Sequence, residues 1–119
     1  MTGLAVYGLK NCDSCKKAVQ ALDEAGLGHQ FNDIREDVDL VVKVPDWLDA
    51  VGAKALMNTR STTWRNMSEE DRELATADPA GVLIAHPTLI KRPVIEAGTL
   101  VTVGWSADSL NGLLAGAAE

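Results

Sequence analysis

The chain has little cysteine, few aromatics, a deficit of positive charge and no long apolar run. Two cysteines in 119 residues are too few for a disulfide scaffold, which takes roughly four or more in a small secreted chain. Eleven Lys and Arg stand against 17 Asp and Glu, for a formal charge of −6. A chain with that balance offers no basic footprint for neutralising phosphates. Nonspecific binding to nucleic acid or to an anionic membrane is therefore not expected. No apolar run approaches the ~20 residues of a spanning helix. The stretch from Met1 to Gly8 has no basic segment followed by a long apolar core, so it does not read as a secretory signal. Together these absences point to a cytoplasmic chain. Its length suits one domain, spanning residues 1–119, since domains run to roughly 100–200 residues. Apolar residues make up 46% and charged residues 24%, an ordinary globular balance.

Both cysteines lie in one tetrapeptide, Cys12-Asp13-Ser14-Cys15. In a cytosolic chain that spacing points to redox chemistry or to metal binding. Its surroundings favour the first. Leu4 to Tyr7 is short, apolar and partly β-branched, and reads as a buried strand. Gly8 to Asn11 is turn-rich. From Cys12 the period becomes helical, with Cys15, Ala18, Val19, Leu22 and Ala25 on one face and Lys16, Lys17, Gln20, Asp23 and Glu24 on the other. Gly26 suits a left-handed helix end. Gln30 to Ile34 reads as a second strand, so residues 4–34 suggest a βαβ unit with parallel strands.

A helical stretch is expected next, over approximately 38–88. Pro45 could open a helix carrying Trp47, Leu48 and Val51, with Gly52 ending it. Asn58 to Arg65 is polar and has no strong period. Ser68 followed by three acids reads as a capped helix start, and Asp78-Pro79 as another. Val94 to Gly104 reads as a hairpin around Ala97-Gly98-Thr99. A final helix would carry Leu110, Leu113 and Leu114, with a frayed tail after it. The expected fold class is α/β: a mixed four-stranded sheet with a helical insertion between the βαβ unit and the C-terminal hairpin and helix.

A thiolate is the reactive form of cysteine, and a free thiol with a pKa near 8.5 is mostly protonated at neutral pH. Cys12 falls where the first helix begins, and unpaired N–H groups there favour an anion. Lys10, Lys16 and Lys17 add positive charge nearby, so a lowered Cys12 pKa is expected. Cys15 lies one turn on. The expected division is Cys12 as attacking thiol and Cys15 as resolving thiol. Two other readings stay open: both cysteines as small core residues, or a zinc site. Structural zinc takes four ligands, and His29 and His86 have no ligand spacing to each other or to the cysteines. No metal is expected. Arg60 and Arg65 lie in the polar middle, and Lys91-Arg92 precedes Pro93. Arg60 and Arg92 would make a fork-shaped anion site if folding brought both to Cys12; spacing alone does not. Trp47, Trp64 and Trp105 are expected in the core or at its edge, and His29 and His86 in structural or surface positions.

The segment Tyr7-Gly8-Leu9-Lys10-Asn11-Cys12-Asp13-Ser14-Cys15-Lys16-Lys17-Ala18 resembles the N-terminal signature of the ArsC family. That family includes glutaredoxin-coupled arsenate reductases, YffB-type proteins and Spx-type regulators. The likeness continues through Leu56 to Arg65, His86 to Ile95 and Val103-Gly104-Trp105. Asn58-Thr59-Arg60 and Trp64-Arg65 bring it nearest to the YffB-type subgroup. The resemblance implies a thioredoxin/glutaredoxin-like core with a helical insertion. It implies that Cys12 is the redox cysteine, that Arg60 and Arg92 hold an oxyanion beside it, and that Pro93 matches the proline that is cis in such folds. With Lys10 and Asn11 these residues make up the implied substrate- and anion-binding set. The implied activity is a thiol-dependent reductase acting on a disulfide, a mixed disulfide or an oxyanion such as arsenate. It needs no bound cofactor. Glutathione is the expected reductant or co-substrate, and glutaredoxin or thioredoxin the protein partner. Arsenate reductases proper generally use one cysteine here and a further arginine after the hairpin. This chain has Cys15 and no arginine between Gly98 and Gly104. An Spx-like regulator that binds RNA polymerase is the alternative, although the longer C-terminal extension typical of that group is lacking.

Overall fold

The computed structural model describes residues 4–106, 108 and 112. Contacts divide the chain into two compact units, Met1–Val38 with Arg92–Glu119 and Asp39–Lys91.

The first unit holds the sheet. Strands β1 (Leu4–Gly8), β2 (His29–Asp33), β3 (Val94–Ala97) and β4 (Leu100–Val103) lie in the order β2-β1-β3-β4. β1 and β2 are parallel, while β3 is antiparallel to both β1 and β4. This is the mixed thioredoxin-like sheet. The parallel pair needs a crossover, and α1 (Asp13–Glu24) supplies it. Alternation puts Leu4 and Val6 on one face of β1, where they bury with Ala18, Leu22 and Ile95. Val19, Leu27, Phe31 and Trp105 pack against that cluster. Gly26 closes α1 with φ +72°. Gly26 N–H donates to the Asp23 carbonyl and Leu27 N–H to the Leu22 carbonyl. That is the Schellman pattern, and it folds Leu27 back onto Leu22. β2 begins and ends one residue earlier than the pattern suggested. The hairpin turns on Gly98-Thr99 between the paired Ala97 and Leu100. Gly98 has φ +62° and Thr99 does not have a positive φ, the type II′ arrangement that matches strand twist. The expected last helix lies outside the described residues.

The second unit is helical: α2 (Leu40–Val51), α3 (Ala53–Leu56), α4 (Thr62–Arg65), α5 (Glu69–Ala77), α6 (Pro79–Ala85) and a 3₁₀ turn at Pro87–Leu89. Ser68 and Asp78 cap α5 and α6 through their side chains, as their sequence positions suggested. Pro45 does not open α2. The helix starts five residues earlier, where the Asp39 carboxylate accepts from Val41 N–H at 3.2 Å. Leu40, Val44 and Trp47 recur at helical spacing and are buried. That cap and burial outweigh Pro45, which sits inside the helix without the N–H that would reach the Val41 carbonyl. Val41 is 65% exposed, so water limits the cost of the missing bond. Of the three tryptophans, Trp47 is wholly buried, while Trp64 and Trp105 are half-buried.

Candidate active site

β1 ends at Gly8, and a turn closed by Cys12 N–H to the Leu9 carbonyl, 3.2 Å, leads into α1. Cys12 is the N-cap residue, extended at φ −90°, ψ 123°. Its sulfur therefore lies where the helix presents unpaired N–H groups and the positive end of its dipole. As a neutral thiol it makes no capping hydrogen bond. The ionised form is another matter. Partial burial pushes the Cys12 thiol up, but the Cys15 N–H, the Cys15 thiol and the Arg92 guanidinium all favour the thiolate. The net effect is a pKa below the usual thiol value. Charge-assisted hydrogen bonds are the stronger kind, so donors too weak to cap a thiol still stabilise a thiolate. The expected direction holds. The helix-start N–H contributes as expected, through Cys15, but the positive charge comes from Arg92, and Lys10, Lys16 and Lys17, all exposed, do not contribute.

Cys15 behaves in the opposite way. It is 1% exposed. Burial first, then the neighbouring Cys12, push its pKa up to about 12, although the Leu9 N–H pulls the other way. A pH dependence of stability follows. Below about pH 9 both folded and unfolded chains hold the Cys15 proton. Between 9.0 and about 12 the unfolded chain gives it up and the folded chain does not, so stability falls as pH rises. Cys12 has the reverse sign: its contribution is full above 9.0 and is lost as pH falls through its lowered value. The expected loss from Cys15 is about 2 kcal/mol between pH 9 and 11. Urea midpoints at the two pH values would show it, and Cys15→Ala should remove it. A fall of the same size in Cys15→Ala would assign it to other groups.

Arg92 is half-buried, and the Arg92–Pro93 bond is cis, as the family resemblance implied for Pro93. Asn11 is exposed in the turn before Cys12. Lys10 lies on the rim of a groove of about 420 Å³ beside Cys15, with Leu9, Val19 and Phe31. Arg60 belongs to the second unit and is exposed. Its loop is firmly built. Asn58 Oδ1 accepts from Arg60 N–H at 3.1 Å, and Arg65 Nη2 donates to the Arg60 carbonyl at 3.2 Å. Arg72 lies over the Trp64 ring, 5.4 Å from its centroid, and donates to the Trp64 carbonyl. Arg65 and Arg72 thus hold the loop that presents Arg60. His29 is held by the Leu27 carbonyl and Asp23, and His86 ends α6. Among the described residues no group of three His, Cys, Asp or Glu could hold a metal ion.

Sequence reasoning passed over Gly8, which it placed in a turn. A Cβ built at Gly8 would collide with Cys15 Sγ. A glycine at the end of a strand, seven residues before a cysteine on the next helix, was the available signal.

Residues 7–113 match the ArsC family. The chain belongs to that family. An uncharacterized protein of Haemophilus influenzae is 36% identical over 104 residues, covering 87% of this chain and 91% of its own. The solved structure of a YffB protein superposes with a TM-score of 0.84 at 32% identity, over 93% of this chain and 98% of its own. The global transcriptional regulator Spx 2 of Bacillus cereus is 24% identical, over 92% of this chain and 85% of its own. The chain is thus similar both to a YffB protein and to a transcriptional regulator. No helix among the described residues is long and apolar enough to cross a membrane.

Proposed function

We propose that this ArsC-family protein is a thiol-dependent reductase with Cys12 as its nucleophile. The observation that carries the reading is the meeting of Cys12, the α1 N-terminus and Arg92 within one unit, which favours a thiolate. The Cys12 thiolate attacks one sulfur of a disulfide substrate. A Cys12 mixed disulfide forms and the other half leaves as thiolate. A glutathione thiolate then attacks the substrate-derived sulfur, which releases Cys12 as thiolate and forms a glutathione mixed disulfide. A second glutathione resolves that to free thiol and glutathione disulfide. In the internal alternative Cys15 attacks the Cys12 sulfur, the second substrate half leaves as thiolate, and two glutathiones reduce the resulting Cys12–Cys15 disulfide. Overall two electrons pass from two glutathione thiols, oxidised to one glutathione disulfide, to the substrate disulfide, and their two protons go to the two departing substrate sulfurs. Arg92 stabilises the negative sulfur, and Arg60 is the second anion ligand that the family resemblance assigns. With no arginine between Gly98 and Gly104, disulfides and glutathione mixed disulfides fit better than arsenate.

Glutathione-driven turnover of a small disulfide, measured with and without glutaredoxin and compared with arsenate, tests this. Disulfide turnover above the arsenate rate is expected. No turnover on any of these substrates would sink the proposal. Arg60→Ala is expected to raise KM for a glutathionylated peptide about tenfold, the worth of one charge-assisted contact. It should leave the Cys12 titration in place. An unchanged KM would remove Arg60 from the site. The likeness to Spx 2 supports one other reading, a redox-sensitive regulator. Capture of RNA polymerase by one redox state of the protein, and not by the other, would favour it.

A further inference from the structure

Cys15 Sγ occupies space that exists only because residue 8 has no side chain. A Cβ at Gly8 would overlap Sγ, lie 3.4 Å from Cys15 Cβ and 3.7 Å from Phe31 Cε1. Gly8 cannot easily back away. It is the last residue of β1, paired with Asp33, and its carbonyl accepts from Ile34 N–H at 2.9 Å. Cys15 is equally constrained, on the first turn of α1 with its side chain 1% exposed. A cysteine has a single torsion with which to move its sulfur, and one of the three rotamers is rare in helices. The sulfur also has two polar neighbours where it stands. It accepts from Leu9 N–H, and its S–H donates toward Cys12. Leaving the space at Gly8 means leaving both.

We propose that Gly8 is a positioning residue for Cys12: its missing side chain is the socket that holds the Cys15 sulfur in the rotamer from which the Cys15 thiol donates to the Cys12 thiolate. The inference rests on the reading of Cys12 as a thiolate nucleophile and adds a residue to it. Gly8 acts through the Cys15 sulfur. Its φ is not positive, so the requirement for glycine here is one of space and not of backbone conformation.

A double-mutant cycle between Gly8→Ala and Cys15→Ala tests this. The readouts are the Cys12 thiolate titration at 240 nm and the pH dependence of iodoacetamide alkylation. In the wild-type background Gly8→Ala is expected to slow alkylation at pH 6 roughly three- to tenfold, because tenfold corresponds to one pKa unit. In the Cys15→Ala background, where the colliding sulfur is gone, the same change should move neither readout. A Gly8→Ala effect as large in that background would overturn the proposal, and so would no effect in wild type. If Gly8→Ala alone does not fold, the double variant should fold, and its failure would also overturn the proposal. A wild-type Cys12 that titrates at or above the ordinary thiol value would refute the thiolate reading instead. The urea midpoints of the same four proteins would still report whether Gly8 and Cys15 are coupled.

Discussion

Cys12→Ser is expected to lower glutathione-linked turnover by about a thousandfold or more, the scale seen when a covalent nucleophile is lost. A serine hydroxyl does not ionise near neutral pH. The groups that hold Cys12 below the usual thiol value would then have no anion to stabilise. The substitution is nearly isosteric and falls at a half-buried N-cap, where serine is a favoured residue. The variant should therefore fold at least as well as the wild type, and a lost rate is a chemical result. Cys15→Ser separates the two thiols. Cys15 is 1% exposed with a pKa of about 12, so its reactive form is scarce at neutral pH. Resolution by glutathione predicts that Cys15→Ser keeps turnover within about tenfold of wild type. A stalled Cys12–glutathione mixed disulfide in Cys15→Ser, seen by mass spectrometry, would make Cys15 the resolving thiol. Turnover that survives Cys12→Ser would end the assignment of Cys12.

Much of this fold was legible because its signals are local. The strand, the helical period from Cys12, the left-handed Gly26 and the Gly98 turn each depend on a few neighbouring residues. So do the Ser68 and Asp78 caps. Pro45 was misread for the same reason. Its local signature is that of a first-turn proline, but the competing term is the burial of Leu40, Val44 and Trp47, a tertiary effect that a local pattern underweights. The site divides in the same way. The place of Cys12 at a helix start follows from its spacing. Arg92 lies 80 residues further along the chain, and nothing in its neighbourhood says which anion it faces. The lysines were the attractive choice because they are close in sequence, yet they are exposed to solvent. Gly8 escaped because its role is an absence of atoms, visible only once Cys15 is placed against it.

Arg92→Ala is expected to cost roughly ten- to a hundredfold in turnover at neutral pH, with most of the loss recovered at alkaline pH. Arg92 favours the Cys12 thiolate both as a hydrogen-bond donor and as a charge. A hydrogen bond to a charged group is worth about 1.5–3 kcal/mol, and one pKa unit is about 1.4 kcal/mol. Losing Arg92 should therefore raise the Cys12 pKa and cut the thiolate fraction at neutral pH by about ten- to a hundredfold. The sign is fixed by the direction of the shift. The wild-type rate rises with pH as the thiolate forms, on a limb below the usual thiol value. In Arg92→Ala that limb moves up. Above it, both proteins are ionised and the thiolate fractions converge. Arg92→Lys separates charge from geometry: an ammonium restores the Coulomb contribution without the planar fork, so its limb should fall between the other two. An unmoved limb in Arg92→Ala would mean that the helix N-terminus and Cys15 hold the thiolate by themselves. A rate that stays low at every pH, beside a shifted limb, would place Arg92 on the substrate as well as on the sulfur.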